Sequence, residues 1–163
     1  MKRMFLVLLS VAFAIGLASA AMAGNSDTIT VNYAVSAINE INIDGASVSL
    51  TVSTTTAGAN PDQASDSTTY DITTNCAANA KKITGAIGSD MGSGLTLKAN
   101  MTAPTGGSSA GATALSSVAA NLVTLIDAVA EANIALAFTL DATAAAGVVS
   151  SSSKTCTLTI VDT

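Results

Sequence analysis

From residue 28 onward the chain is dominated by a two-residue alternation of apolar and polar positions. Residues 28–38 place Ile29, Val31, Tyr33 and Val35 on one face and Thr28, Thr30, Asn32 and Ala34 on the other, the pattern of a half-buried strand. Residues 39–43 continue extended to a turn at Asp44-Gly45, and residues 46–53 alternate again through Val48, Leu50 and Val52. Gly58, Asn60-Pro61 and Asp62 make residues 54–68 read as a long loop. Residues 70–74, 82–87 and 95–101 read as short strands, and residues 104–111, with Gly106-Gly107 and two serines, as a flexible loop.

One stretch departs from this period. Between residues 117 and 132, Leu122, Leu125, Ile126 and Val129 stand at i, i+3, i+4 and i+7 with alanines between them. That spacing predicts a short helix, with Ser116 or Ser117 as its cap. Alternation then returns over residues 134–143 and 155–161, joined through residues 144–154 as a hairpin loop. About seven strands with turns every 8–15 residues predict a mainly β fold, an immunoglobulin-like antiparallel β-sandwich with one short helix near 117–132.

The N-terminus has a different character. Lys2 and Arg3 precede a nearly unbroken apolar stretch over residues 5–17, followed by small residues ending in Ala21-Met22-Ala23. This is the three-part anatomy of a cleavable secretory signal. Its apolar core falls short of the roughly 20 residues that cross a bilayer. The expected cut follows Ala23, with Ala18-Ser19-Ala20 as the fallback. Residues 24–163 are then one secreted or extracytoplasmic domain, at the cell surface or in a periplasm, with no membrane span after cleavage.

Removing residues 1–23 alters the charge picture. Lys81, Lys82, Lys98 and Lys154 are left against all 11 acids, a net charge of 4 − 11 = −7, and no Arg, His or Trp remains. Nucleic-acid binding needs a basic surface that displaces counterions from phosphates, so no nucleic-acid partner is expected. Acidity instead favours solubility of an exposed protein.

Catalytic patterns are sparse. Without histidine, neither a Ser-His-Asp nor a Cys-His site can be assembled from this chain. Ser151 and Lys154 fit S-x-x-K formally, inside a run of four serines and without the K-T-G or S-D-N elements that accompany it. Glu40 and Glu131 are the only glutamates, and no spacing pairs two carboxylates for glycoside hydrolysis. No enzyme activity and no cofactor are expected. Asp62 and Asp66, with Asn60 and Ser65 near them, are the calcium candidates by ligand type, against the general preference of turns for Asp and Asn. Asn100-Met101-Thr102 fits a glycosylation sequon at a strand end.

Cys76 and Cys156 are the only cysteines. In an oxidising compartment two cysteines in one small domain usually pair, and a Cys76–Cys156 disulfide is expected, with free or intermolecular thiols as the alternative. Closing that loop of 156 − 76 = 80 residues is worth roughly 4–5 kcal/mol in the chain-entropy model.

The close of the chain, Ala144 to Val149, a serine run, then Thr155-Cys156-Thr157-Leu158-Thr159-Ile160, resembles the final hairpin of bacterial surface β-sandwich proteins such as fimbrial subunits and spore-coat-U-like secreted proteins. The resemblance covers about the last 30 residues. It implies a sandwich whose work is assembly or adhesion. Self-assembly or surface proteins are the expected partners, with Ile29, Val31, Tyr33 and Val35 as a strand that one copy could donate to another. The competing expectation is a soluble binding module for a small ligand or glycan.

Overall fold

The computed structural model describes residues 25–163, so the expected signal segment lies outside the described residues. The chain divides into two compact units, Met1–Ala34 and Val35–Thr163. In the first, residues 25–34 form no helix or strand, and the one local bond is the Thr28 N–H donated to Asp27 Oδ1 at 2.8 Å.

The second unit is mainly β and built of antiparallel strands: β1 (Asn39–Ile43), β2 (Ala64–Thr74), β3 (Lys81–Ile87), β4 (Leu95–Met101), β5 (Ser108–Ser109), β6 (Thr113–Ala114), β7 (Ala120–Ile126), β8 (Val129–Ala142) and β9 (Cys156–Asp162). One sheet has the order β1-β2-β8-β4-β6 and curls into a half-barrel, and the other has the order β5-β7-β3-β9. Their facing sides hold the core. Tyr70 and Ile72 from β2, Ala99 and Met101 from β4, and Ile134, Leu136 and Phe138 from β8 meet Ile83, Ile87, Leu122, Val123 and Ile126 from the other sheet. Every second residue of β8 and β3 contributes, as the pleat requires. The β-rich, sandwich-like architecture therefore follows the alternation in the sequence, and seven of the nine strands have five or more residues.

The helix expected near 117–132 is absent; β7 and the start of β8 occupy its place. Two register shifts in the β3–β7 ladder, one between Lys81 and Ile83 and one between Ile83 and Thr84, explain the misleading spacing. Each inserts an extra residue on β7, so the buried positions become Leu122, Val123 and Ile126 rather than strict alternates. Leu125 takes up one bulge at φ 58° and stays 46% exposed. Among the described residues the single helical element is a 3₁₀ turn at Ala144–Ala146.

Three further expectations change. Strand β2 begins at Ala64, inside the expected 54–68 loop; Asp66 and Thr68 occupy its inward positions, so no apolar alternation advertises a strand there. Residues 46–53 form no regular ladder, although Val48 and Leu50 pack against the core. The Ser49 N–H donates to Asp66 Oδ2 at 2.7 Å, so a carboxylate takes the place of a ladder carbonyl. Residues 144–154 are not a hairpin loop, since β8 and β9 belong to different sheets.

Candidate functional site: the open side of the sandwich

The two long sides of the sandwich are finished differently. On one side the chain passes from β5, paired with β7, to β6, paired with β4, within three intervening residues. Gly111, at φ 73°, makes that corner. The Ala110 N–H donates to Leu122 O at 2.9 Å, the Leu115 N–H to Leu97 O at 2.8 Å, and Ser109 Oγ to Met101 O at 2.5 Å. Main chain thus bridges the sheets there. On the other side β1 runs beside β9, and among the described residues no strand pairing joins them.

The free edge of β9 can be read residue by residue. Thr163 donates its N–H to Ala80 O at 3.1 Å, and Gly88 donates to Thr155 O at 3.2 Å. With the register Lys82↔Val161, Thr84↔Thr159 and Ala86↔Thr157, antiparallel alternation makes those three the hydrogen-bonded pairs. The N–H and C=O groups of Cys156, Leu158, Ile160 and Asp162 therefore point away from β3. Their side chains, except that of Asp162, pack against the core yet remain only half-buried, as do Ile41, Val48 and Leu50 nearby in the sequence of the other sheet's edge. Edge strands that offer unpaired groups are templates for a further strand.

The Asp162 end of this side is polar. Lys81 Nζ donates to Asp162 Oδ1 at 2.5 Å, and that hydrogen bond, followed by the Lys81 charge, holds the Asp162 carboxyl below its ordinary value. Asn75 fixes the chain entering β1: its Oδ1 accepts the Ile38 N–H at 2.7 Å and its Nδ2 donates to Ser36 O at 2.8 Å. A depression of about 360 Å³ lined by Asn39, Asn75, Cys76, Lys81 and Asp162, among others, lies here. A second of about 350 Å³ runs over β1 and β2.

The proposed donor residues are extended and open. Ile29, Val31, Tyr33 and Val35 are 88%, 71%, 92% and 79% exposed and belong to no strand. Their expected place in a half-buried first strand is not what the structure shows.

The expected Cys76–Cys156 disulfide is also corrected, since both thiols are free. Cys76 sits with Lys81 around one depression, whereas Cys156 pairs with Ile87 at the far end of β3. Six residues of strand separate those ends by roughly 20 Å, well beyond the roughly 4–7 Å that Cα atoms span across a disulfide. Cys76 Sγ instead donates to Ile126 O at 3.4 Å, and burial pushes the Cys156 thiol up.

The remaining sequence candidates stay apart. Asp62 accepts from Thr54 Oγ1 at 2.8 Å, while Asp66 accepts the N–H groups of Ser49 and Ser67, which lower its pKa. These two carboxylates serve separate hydrogen bonds. Among the described residues no group of three or more Cys, Asp or Glu could hold a metal ion. Lys154 Nζ donates to Ser89 Oγ at 2.6 Å and Asp90 O at 3.1 Å rather than to Ser151. Glu131 Oε1 accepts the Thr105 N–H at 3.0 Å, while Glu40 lies on β1 opposite Thr73. Asn100 of the sequon is exposed on β4.

The open edge itself was missed by sequence reasoning. Its signal was present in the last strand, whose apolar residues Leu158 and Ile160 alternate with threonines, but alternation does not say which strand ends a sheet. No family model matches the chain, and no curated protein matches it.

Proposed function

We propose that this is a secreted or cell-surface structural or adhesive protein, a fibre or coat subunit that associates through its strands. The observation carrying this reading is the run Ile29, Val31, Tyr33 and Val35, apolar at every second position and exposed at each. A chain that keeps such a run uncovered is suited to bury it against a partner. The acidic, lightly charged composition, with 10% charged residues, supports an exposed extracytoplasmic protein. The N-terminal signal anatomy supports export.

Negative-stain electron microscopy of the native chain, beside material sheared from the surface of its own cell, tests the reading. Regular filaments or sheets that disappear on deletion of residues 24–35 are the expected result. Uniform small particles, with no matching structure on the cell, would overturn it.

A further inference from the structure

Asn100 is the one asparagine of the chain followed two residues later by Ser or Thr. We propose that its side chain carries an N-linked glycan, attached while the chain is being exported. This inference rests on the export part of the reading above.

The fold presents Asn100 as such a modification requires. Ala99 and Met101, on either side of it in β4, are fully buried, so the pleat turns Asn100 outward and leaves it exposed. Its carboxamide makes no hydrogen bond to any described residue. Other asparagines are engaged in the fold: Asn39 Oδ1 accepts from Thr74 Oγ1 at 2.9 Å, and Asn60 Oδ1 accepts the Ala144 N–H at 3.2 Å.

The surroundings of Asn100 leave room for a sugar. Its partner across β8 is Ala137, which in turn pairs with Ser67 of β2. Directly paired residues share a face of the sheet, so the row beside Asn100 holds only small side chains. On the other side β6 pairs with Lys98 and Ala99 and reaches no further along β4. Lys98 shares the outer face but bonds to Asp141, which lies opposite Thr96 and thus away from Asn100. A sugar ring joined to Asn100 would lie over the outer face and displace no core contact.

The order of elements sets when transfer occurs. In the folded chain the sequon's main chain is held: the Thr102 N–H donates to Ala135 O at 3.0 Å, and Tyr70 donates its hydroxyl to Thr102 O at 2.6 Å. β4 precedes its partner β8 in the chain, so during N-to-C export residues 100–102 emerge unpaired. The donor is a polyprenyl-phosphate-linked glycan, and a membrane glycosyltransferase acts on it. A bond forms between Asn100 Nδ2 and the sugar's anomeric carbon, and the bond from that carbon to the phosphate oxygen breaks. Its electron pair leaves with the lipid phosphate, and one Nδ2 proton passes to a base of the transferase.

Mass spectrometry of the chain recovered from the surface of its own cell tests this, by intact mass and by fragmentation of the peptide containing Asn100. The expected result is an increment of whole sugar residues located on Asn100. Asn100→Gln and Thr102→Ala should both lose the increment, whereas Thr102→Ser should keep it. Neither exposed side chain supports the fold, since Thr102 bonds to Ala135 and Tyr70 through its main chain. An unmodified Asn100 in exported material overturns the proposal and leaves the export reading standing. Sugar that persists in Asn100→Gln belongs to other side chains and overturns the assignment to Asn100. Recovery of the chain only inside the cell, with residues 1–23 still attached, overturns both.

Discussion

Leu122 occupies the space where a side chain on Gly85 would begin: a Cβ at Gly85 would stand 2.6 Å from Leu122 Cδ1 and 3.3 Å from Leu158 Cδ2. Gly85 lies mid-strand in β3, between Ala120 of β7 and Leu158 of β9. Glycine ordinarily weakens a strand, but here it lets a fully buried leucine cross the centre of the smaller sheet. The same contact couples the core to the inward face of the open edge.

Gly85→Ala is therefore expected to destabilise the fold by about 1–3 kcal/mol through overpacking. The urea midpoint should fall while the slope stays constant. An unchanged midpoint would mean that Leu122 repacks without strain, and the close approach would then carry no stability.

The cysteines give a second test. With both thiols free, adding a reductant should leave the thermal midpoint unchanged, and the unfolded chain should titrate two thiols per molecule. In the folded chain Cys156 should react slowly, because burial raises its pKa and depletes the thiolate that attacks. A midpoint that drops on reduction, with no thiol titrated beforehand, would show a covalent bridge after all.

What the sequence displayed and what it hid follow from the same physics. β4 was legible at both ends because Leu95, Leu97, Ala99 and Met101 fall at every second position, and Leu97, Ala99 and Met101 meet the core. β7 was hidden by its bulges, which bring Leu122, Val123 and Ile126 inward at a spacing that a helix also produces. The first half of β2 was hidden because its inward positions are polar: Asp66 holds the Ser49 N–H, and Thr68 Oγ1 donates to Asp44 O. The cysteine pairing failed for a topological reason. Nothing in the spacing of Cys76 and Cys156 reveals that β3 separates them along its length. The donor segment was visible as a pattern, but its exposure and the free edge of β9 depend on strand order, which alternation does not encode.

Acid should weaken the fold with a definite sign. Asp141 accepts from Lys98 Nζ at 2.7 Å and Gln63 Nε2 at 2.5 Å, and these bonds, Lys98 first, hold its carboxyl below the ordinary value of 3.8. Backbone N–H groups of Ser49 and Ser117 lower Asp66 and Asp90 in the same way, and Lys81 lowers Asp162. A carboxylate depressed in the folded state contributes stability that is present above the unfolded pKa and lost as pH falls through the folded one. The thermal midpoint should hold steady near neutrality and decline below pH 3.8. Asp141→Asn should make that decline shallower. An equal slope in the variant would show that the pair with Lys98 contributes nothing measurable, as many exposed ion pairs do.

Alkali should act through one buried phenol. Tyr70 is fully buried in the core, and its hydroxyl donates to Thr102 O at 2.6 Å, tying β2 to the chain leaving β4. Burial, with a smaller contribution from the Glu131 charge, pushes its pKa from 10.0 up to about 12. The folded state thus holds the phenolic proton more tightly than the unfolded chain does. Its contribution is complete below pH 10.0 and is lost as pH rises toward about 12. Tyr70→Phe should cost about 1–2 kcal/mol at neutral pH, since it strands the Thr102 carbonyl. It should also flatten the alkaline loss of stability measured by circular dichroism. Tyr33→Phe, at an exposed position, should leave that alkaline loss in place. If Tyr70→Phe retains the full decline between pH 10.0 and about 12, the buried phenol is not the group that sets the alkaline limit of this fold.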